Sequence, residues 1–81
     1  MGQILRFITP FDASTFDVFA TRVMDEAFDT ACAELQDSNL SELVRETIAG
    51  RIIEAARRGE RDPKRLCSIA VFAVRVEQKL G

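Results

Sequence analysis

An 81-residue chain that is 47% hydrophobic and 30% charged, with a net charge of −2, has the balance of one small folded domain, not that of a disordered tail or a general polyanion binder. It contains no His, Tyr or Trp, which excludes imidazole acid–base catalysis, histidine-ligated zinc or haem, and a Ser/His/Asp site within one chain. At this mass a fold exposes roughly 4,900 Å² and hides about 60% of the open chain's surface, a thin core for which a partner chain is a natural source of added stability.

The start of the chain lacks the basic segment, long apolar run and small-residue cleavage site of a secretory signal, so a cytoplasmic protein is expected. Gln3 to Thr9 is an apolar run closed by Pro10, and the residue ahead of a proline is biased away from helix. This predicts a short apolar N-terminal arm or strand over residues 1–10. It would lie along the helices or pair with its copy in a second chain.

Asp12 is the first capping candidate, with Phe11 at N′ and Phe16 at N4 forming a hydrophobic staple; Ser14 with Asp17 is a competing capping box. Beyond it Phe16, Phe19, Ala20, Val23, Met24, Ala27, Phe28, Ala31, Cys32 and Leu35 recur at three- and four-residue spacing. That stripe predicts a core-facing helix over about 13–36. Asp17, Asp25, Glu26, Asp29 and Glu34 fall largely on the other side, as a solvated acidic face. Glu26 and Asp29 stand three apart, but carboxylate pairs on one helix are ordinary surface, and glycoside chemistry needs an opposing carboxylate across a cleft; a small enzyme with a carboxylate site for a divalent metal is left as a third, minor alternative.

Gln36 to Asn39 reads as a turn, with Ser38 or Asn39 capping a second helix over about 40–58. Its core side would carry Leu40, Leu43, Val44, Thr47, Ile48, Ile52, Ala55 and Ala56. Gly50 stands in mid-helix at a cost of about 1 kcal/mol relative to Ala, marking either a close approach by another helix or a tolerated residue. Arg57 and Arg58 suit the carboxyl end of the helix dipole, and Gly59 then ends the helix as a left-handed cap.

Asp62-Pro63 is a cap followed by proline at the first helical position, which starts a third helix over about 63–79. In its middle Leu66, Cys67, Ile69, Ala70, Val71, Phe72, Ala73, Val74 and Val76 coat nearly the whole circumference, and such a helix must be covered on more than one side. Two neighbouring helices hide part of it. The remainder predicts a homodimer interface carried by Ile69, Phe72, Ala73, Val76 and Leu80. The β-branched residues of 69–76 leave a strand as the alternative, against which the Asp-Pro start and the charged flanks argue. The most apolar window, Leu66 to Val74, falls far short of the roughly 20 residues that cross a bilayer, so no membrane partner is expected.

Charge is uneven along the chain. Residues 1–44 hold eight acids against Arg6 and Arg22, whereas residues 45–81 hold nine bases against five acids. Arg57, Arg58, Arg61, Lys64 and Arg65 crowd the junction between the second and third helices, forming a candidate basic binding patch beside Glu60 and Asp62. A helix, turn and helix with such a junction has the outline of a helix-turn-helix, but reading bases needs a polar exposed face. After Arg65 the third helix offers only Ser68, Arg75, Gln78 and Lys79 for that purpose. A solvated helix end whose arginines satisfy carbonyls and nearby carboxylates is the plainer reading. Cys32 and Cys67, 35 positions apart, are too few and too distant for a metal knuckle; they read as reduced core thiols, with a disulfide as the alternative.

The stretch from Arg45 to Cys67, with its Ala55-Ala56-Arg57-Arg58-Gly59 helix end and Asp62-Pro63 restart, resembles a segment recurring in small uncharacterised helical proteins of rhizobia and related alphaproteobacteria. Ala27-Phe28-Asp29 on the preceding helix fits the same resemblance, which spans residues 12–72. It implies a bacterial cytoplasmic helical protein and brings no catalytic residue with it.

The chain is thus expected to form an all-α, three-helix domain behind a short arm, without enzymatic activity, cofactor or metal. Its expected role is protein–protein interaction, with self-association or a partner protein as the ligand. A nucleic-acid-binding regulator using the basic junction is the alternative.

Overall fold

In the computed structural model, which describes residues 3–35 and 41–80 apart from the side chains at 3, 5, 11, 13 and 77–80, the chain is all-α. No strand occurs among the described residues. Four helices follow a 3₁₀ turn at Gln3–Phe7: α1 at Pro10–Thr15, α2 at Val18–Glu34, α3 at Glu42–Arg57 and α4 at Pro63–Leu80. The three long ones, α2, α3 and α4, each pack on the other two.

The N-terminal segment lies along the helices, as expected of a packed arm, but it is wound as a 3₁₀ turn at Gln3–Phe7 and not extended as an arm or strand. Ile4 is fully buried, its backbone N–H donates to Asp25 Oδ1 at 3.3 Å, and the 3₁₀ turn packs on α2 and α3. The Phe7 ring lies 5.8 Å from the Phe28 ring at a tilt of 47°, within the range where aromatic pairs attract. An isolated strand would leave a row of backbone groups unpaired; winding the segment satisfies part of that row internally while keeping Ile4, Phe7 and Ile8 on the core.

The single first helix expected over 13–36 is two. Asp12 is not its cap. Thr9, extended as a residue before proline should be, caps α1 by accepting from the Asp12 N–H at 3.2 Å, and Pro10 occupies the first helical position. The chain then extends through Phe16 and Asp17, and Asp17 caps α2 by accepting from the Ala20 N–H at 2.7 Å. Phe16 sits in this break with 6% exposure, so it reaches the core from between two helices and not from the first turn of one. The proposed partner of its staple, the Phe11 side chain, lies outside the described residues.

Along α2 the expected stripe is buried from Ala20 to Leu35, with Cys32 half-buried. Phe19 is the correction: it is 63% exposed. It stands one residue, hence about 100° of rotation, from buried Ala20, and in the first turn no helix among the described residues covers that side.

The turn at 36–39, its Ser38 and Asn39 caps and Leu40 lie outside the described residues. Ser41 is the observed cap of α3, accepting from the Val44 N–H at 3.2 Å. Ile48, Ala49, Ile52, Ile53 and Ala56 are buried, while Leu43, assigned to the core side, is 71% exposed in the first turn. Gly59 has φ of +103°, the left-handed conformation expected of the residue ending this helix. Asp62 then accepts from the Lys64 N–H at 3.0 Å and Pro63 opens α4, as the Asp-Pro signal predicts. Residues 69–76 are helical, so the strand alternative falls.

Candidate interaction surface

The basic junction holds most of its own charge. Arg57, in the last turn of α3, donates Nε to Asp12 Oδ1 at 2.9 Å and Nη2 to Asp12 Oδ2 at 2.7 Å, a two-pronged pairing across 45 residues of sequence. Asp12 is hidden from solvent, with Thr9 Oγ1 donating to Oδ2 at 3.1 Å, whereas the Arg57 side chain is half exposed. The cover over the carboxylate is therefore a thin one. Hydrogen bonding from Arg57 holds the Asp12 carboxyl below its usual range against the opposing cost of burial, and the same pairing holds the Arg57 guanidinium above its own.

Arg61 turns inward. Its Nη1 donates to the Ala56 and Glu60 carbonyls at 2.7 and 2.8 Å, and its guanidinium carbon stands 5.7 Å from the centre of the Phe16 ring. One arginine thus closes the carboxyl end of α3 and covers the break between α1 and α2. Arg58 pairs with Glu54 at 2.9 Å, one turn back on α3, and Arg65 lies 3.7 Å from Glu60. Lys64 is exposed beside an open cleft lined also by Glu26, Glu34, Cys67 and Ser68. Guanidiniums already committed to carboxylates and carbonyls have fewer donors to offer phosphates.

Helix α4 divides by face. Leu66, Cys67, Ala70, Val71 and Val74 are buried, and Ala73 is half-buried. Ile69, Phe72 and Val76, spaced three and four apart, are 40%, 70% and 37% exposed and form one apolar row on the outer side. The Leu80 side chain lies outside the described residues. Two neighbours cannot cover a helix coated on all sides, and this row is what they leave. Beside it, two adjoining shallow depressions share Arg51 and Glu54. One reaches Arg58, Glu60 and Ile69, the other Thr47 and Gly50. A Cβ built on Gly50 would meet nothing within 4 Å, so no close approach inside this chain explains the glycine.

Both cysteines are free. Burial pushes the Cys67 thiol up, helped by the Glu34 charge, and burial likewise raises the Cys32 thiol, with Arg45 opposing and Asp29 assisting. Raised thiols stay protonated and are poor nucleophiles. Among the described residues no group of three or more Cys, Asp or Glu side chains is arranged to hold a metal ion, and no helix is long and apolar enough to cross a membrane.

Three features were hidden from sequence reasoning. Asp12 pairs with a residue 45 positions away; Asp25, expected on a solvated face, holds the Ile4 N–H; and Arg61 covers Phe16. Each depends on side chains meeting across long sequence separations, which periodicity does not encode. No protein-family profile, curated protein or solved structure matches the chain.

Proposed function

We propose that this protein is a non-enzymatic interaction module that associates with a second copy of itself through the outer face of α4 and the adjoining surface of α3. The observation that carries the reading is Phe72, 70% exposed in the centre of the apolar row Ile69, Phe72 and Val76, on a helix whose opposite side buries Leu66, Cys67, Ala70, Val71 and Val74. Scattered exposed apolar residues need no explanation, but an aligned row including an aromatic marks an interaction face. A second copy is the favoured occupant because a chain of this size has a thin core that gains stability from a partner chain, and a two-fold axis would bury the row against its own copy. The free, protonated thiols suit a reducing compartment such as the cytoplasm.

Sedimentation velocity over micromolar to millimolar concentration tests this. Burying one phenylalanine contributes about 1.5–3 kcal/mol. Two-fold symmetry counts it twice, so Phe72→Asp should weaken association by about a hundredfold or more while leaving the helical circular dichroism intact. A wild-type chain that sediments at the 9.1 kDa monomer mass throughout that range refutes the reading.

A further inference from the structure

We propose that the seat on α2 and α3 beneath the N-terminal turn is a docking site for residues 3–8 of a second copy, which compete there with the chain's own segment; this contact is separate from the α4 face and does not rest on it. The chemistry of the seat is shown by the segment that fills it. Ile4 is fully buried, Phe7 and Ile8 are half-buried against the same core, and the Phe7 ring meets the Phe28 ring of α2. Polar ties accompany this burial. The Ile4 N–H reaches Asp25 Oδ1 at 3.3 Å, long for such a bond, and Arg6 stands 3.7 Å from Glu42 with both side chains exposed, a pairing of little strength in water. Apolar burial is non-directional, so any copy of Ile4, Phe7 and Ile8 fills the seat equally.

Two features make the segment separable. Among the described residues the turn packs on α2 and α3 and not on α4, while α2, α3 and α4 each pack on the other two. The three-helix core thus keeps its own contacts when the turn leaves. The second feature is the join to α1. Thr9 is extended, with ψ of 162°, and Pro10 biases the residue before it away from helix, so the 3₁₀ turn and α1 do not fuse into one rod. Rotation at this residue swings the turn outward while the Arg57 fork on Asp12 keeps α1 on α3. Residues 3–8, extended, span about 20 Å. That matches the molecule's shorter dimensions of 21 and 20 Å, so a copy lying alongside is within reach. Exchange replaces each contact with its twin in the other chain and loses none, the condition under which identical segments swap between protomers. The resident segment competes from its short tether at an effective concentration of about millimolar. A second copy displaces it when chains are crowded or already held together.

A fluorescent synthetic peptide of residues 1–9 tests this on full-length chains carrying Phe72→Asp, so that association through α4 does not contribute. Adding Ile4→Asp to the chain should empty the seat. Fluorescence anisotropy should then show peptide binding about tenfold or more tighter than to the chain with its own segment intact, because apparent affinity scales with the fraction of open seats. Ile4→Asp in the peptide should abolish binding, and isotope-filtered nuclear Overhauser spectra should connect the peptide's Phe7 ring to Phe28. At millimolar concentration a mixed labelled and unlabelled sample of the Phe72→Asp chain should show the same contact between chains. Phe7→Asp takes the place of Ile4→Asp if that chain loses its helical circular dichroism. The proposal is overturned by absent peptide binding to the folded, emptied chain, by equal binding to both chains, or by a mixed sample without the cross-chain contact. Loss of helical structure in both variants also overturns it, since the core would then not exist without its segment. Each of these outcomes leaves the α4 face standing.

Discussion

Phe16 offers the sharpest test of how the N-terminal segment is held. Its ring is 6% exposed in the break between α1 and α2, its backbone N–H donates to the Asp12 carbonyl at 3.0 Å, and the Arg61 guanidinium lies over it at 5.7 Å. Truncating a buried phenylalanine to alanine costs about 3–5 kcal/mol. The lower end applies here, because a two-residue break close to the surface can partly collapse into the space. The arginine contact adds about 0.5–1 kcal/mol. Against a total stability of about 4–12 kcal/mol for a domain of this length, Phe16→Ala should remove a quarter or more, lowering the melting midpoint by roughly 12–24 °C. Phe16→Leu, which keeps most of the buried area, should lose about a third of that. Calorimetry at one fixed protein concentration is the assay, since association would shift the midpoint with concentration. A double-mutant cycle with Arg61→Ala should give a coupling of about 0.5–1 kcal/mol. If Phe16→Ala melts within about 4 °C of the parent, the ring does not close the core and the two-helix description of residues 10–34 is wrong.

Two further substitutions address the local devices of the fold. The Asp12 carboxyl is held below its ordinary value of 3.8 by Arg57, so its contribution is complete at pH values above that figure and is lost as the pH falls through the lowered value. The melting deficit of Asp12→Asn should accordingly be equal at pH 7 and pH 5.5 and narrow below 3.8; a deficit that widens on acidification would contradict the ion pair. Gly59→Ala should destabilise by about 1–2 kcal/mol through the left-handed backbone alone, because no atom stands within 4 Å of the added methyl. An unchanged urea midpoint would show that the helix end does not need this conformation.

The helical nature of the chain and several of its boundaries were legible because their causes are local. Gly59 adopts a positive φ because a left-handed residue without a Cβ ends a helix cheaply, and Asp62-Pro63 starts one because proline lacks an N–H that the first turn would leave unused. Three- and four-residue spacing likewise located the buried residues of α2 and α4, and the excess apolar circumference of α4 anticipated the exposed row at Ile69, Phe72 and Val76. Local signals also misled. Asp12 has the chemistry of a cap, but Thr9 takes that place, and the carboxylate serves Arg57 instead.

Phe19 and Leu43 fit the apolar period but stand exposed in first turns, while Ala49 and Ile53, outside the expected stripe of α3, are buried. Periodicity specifies which residues share a side of a helix; how wide the covered side becomes depends on where the other helices cross it. Sequence alone therefore determined that this chain is helical and where α3 ends and α4 begins, since those outcomes are fixed by backbone chemistry within a few residues. The break at Phe16, the wound N-terminal turn, the Asp12–Arg57 pairing and the identity of the uncovered face were decided only by the tertiary structure, because each requires groups remote along the chain to meet in space.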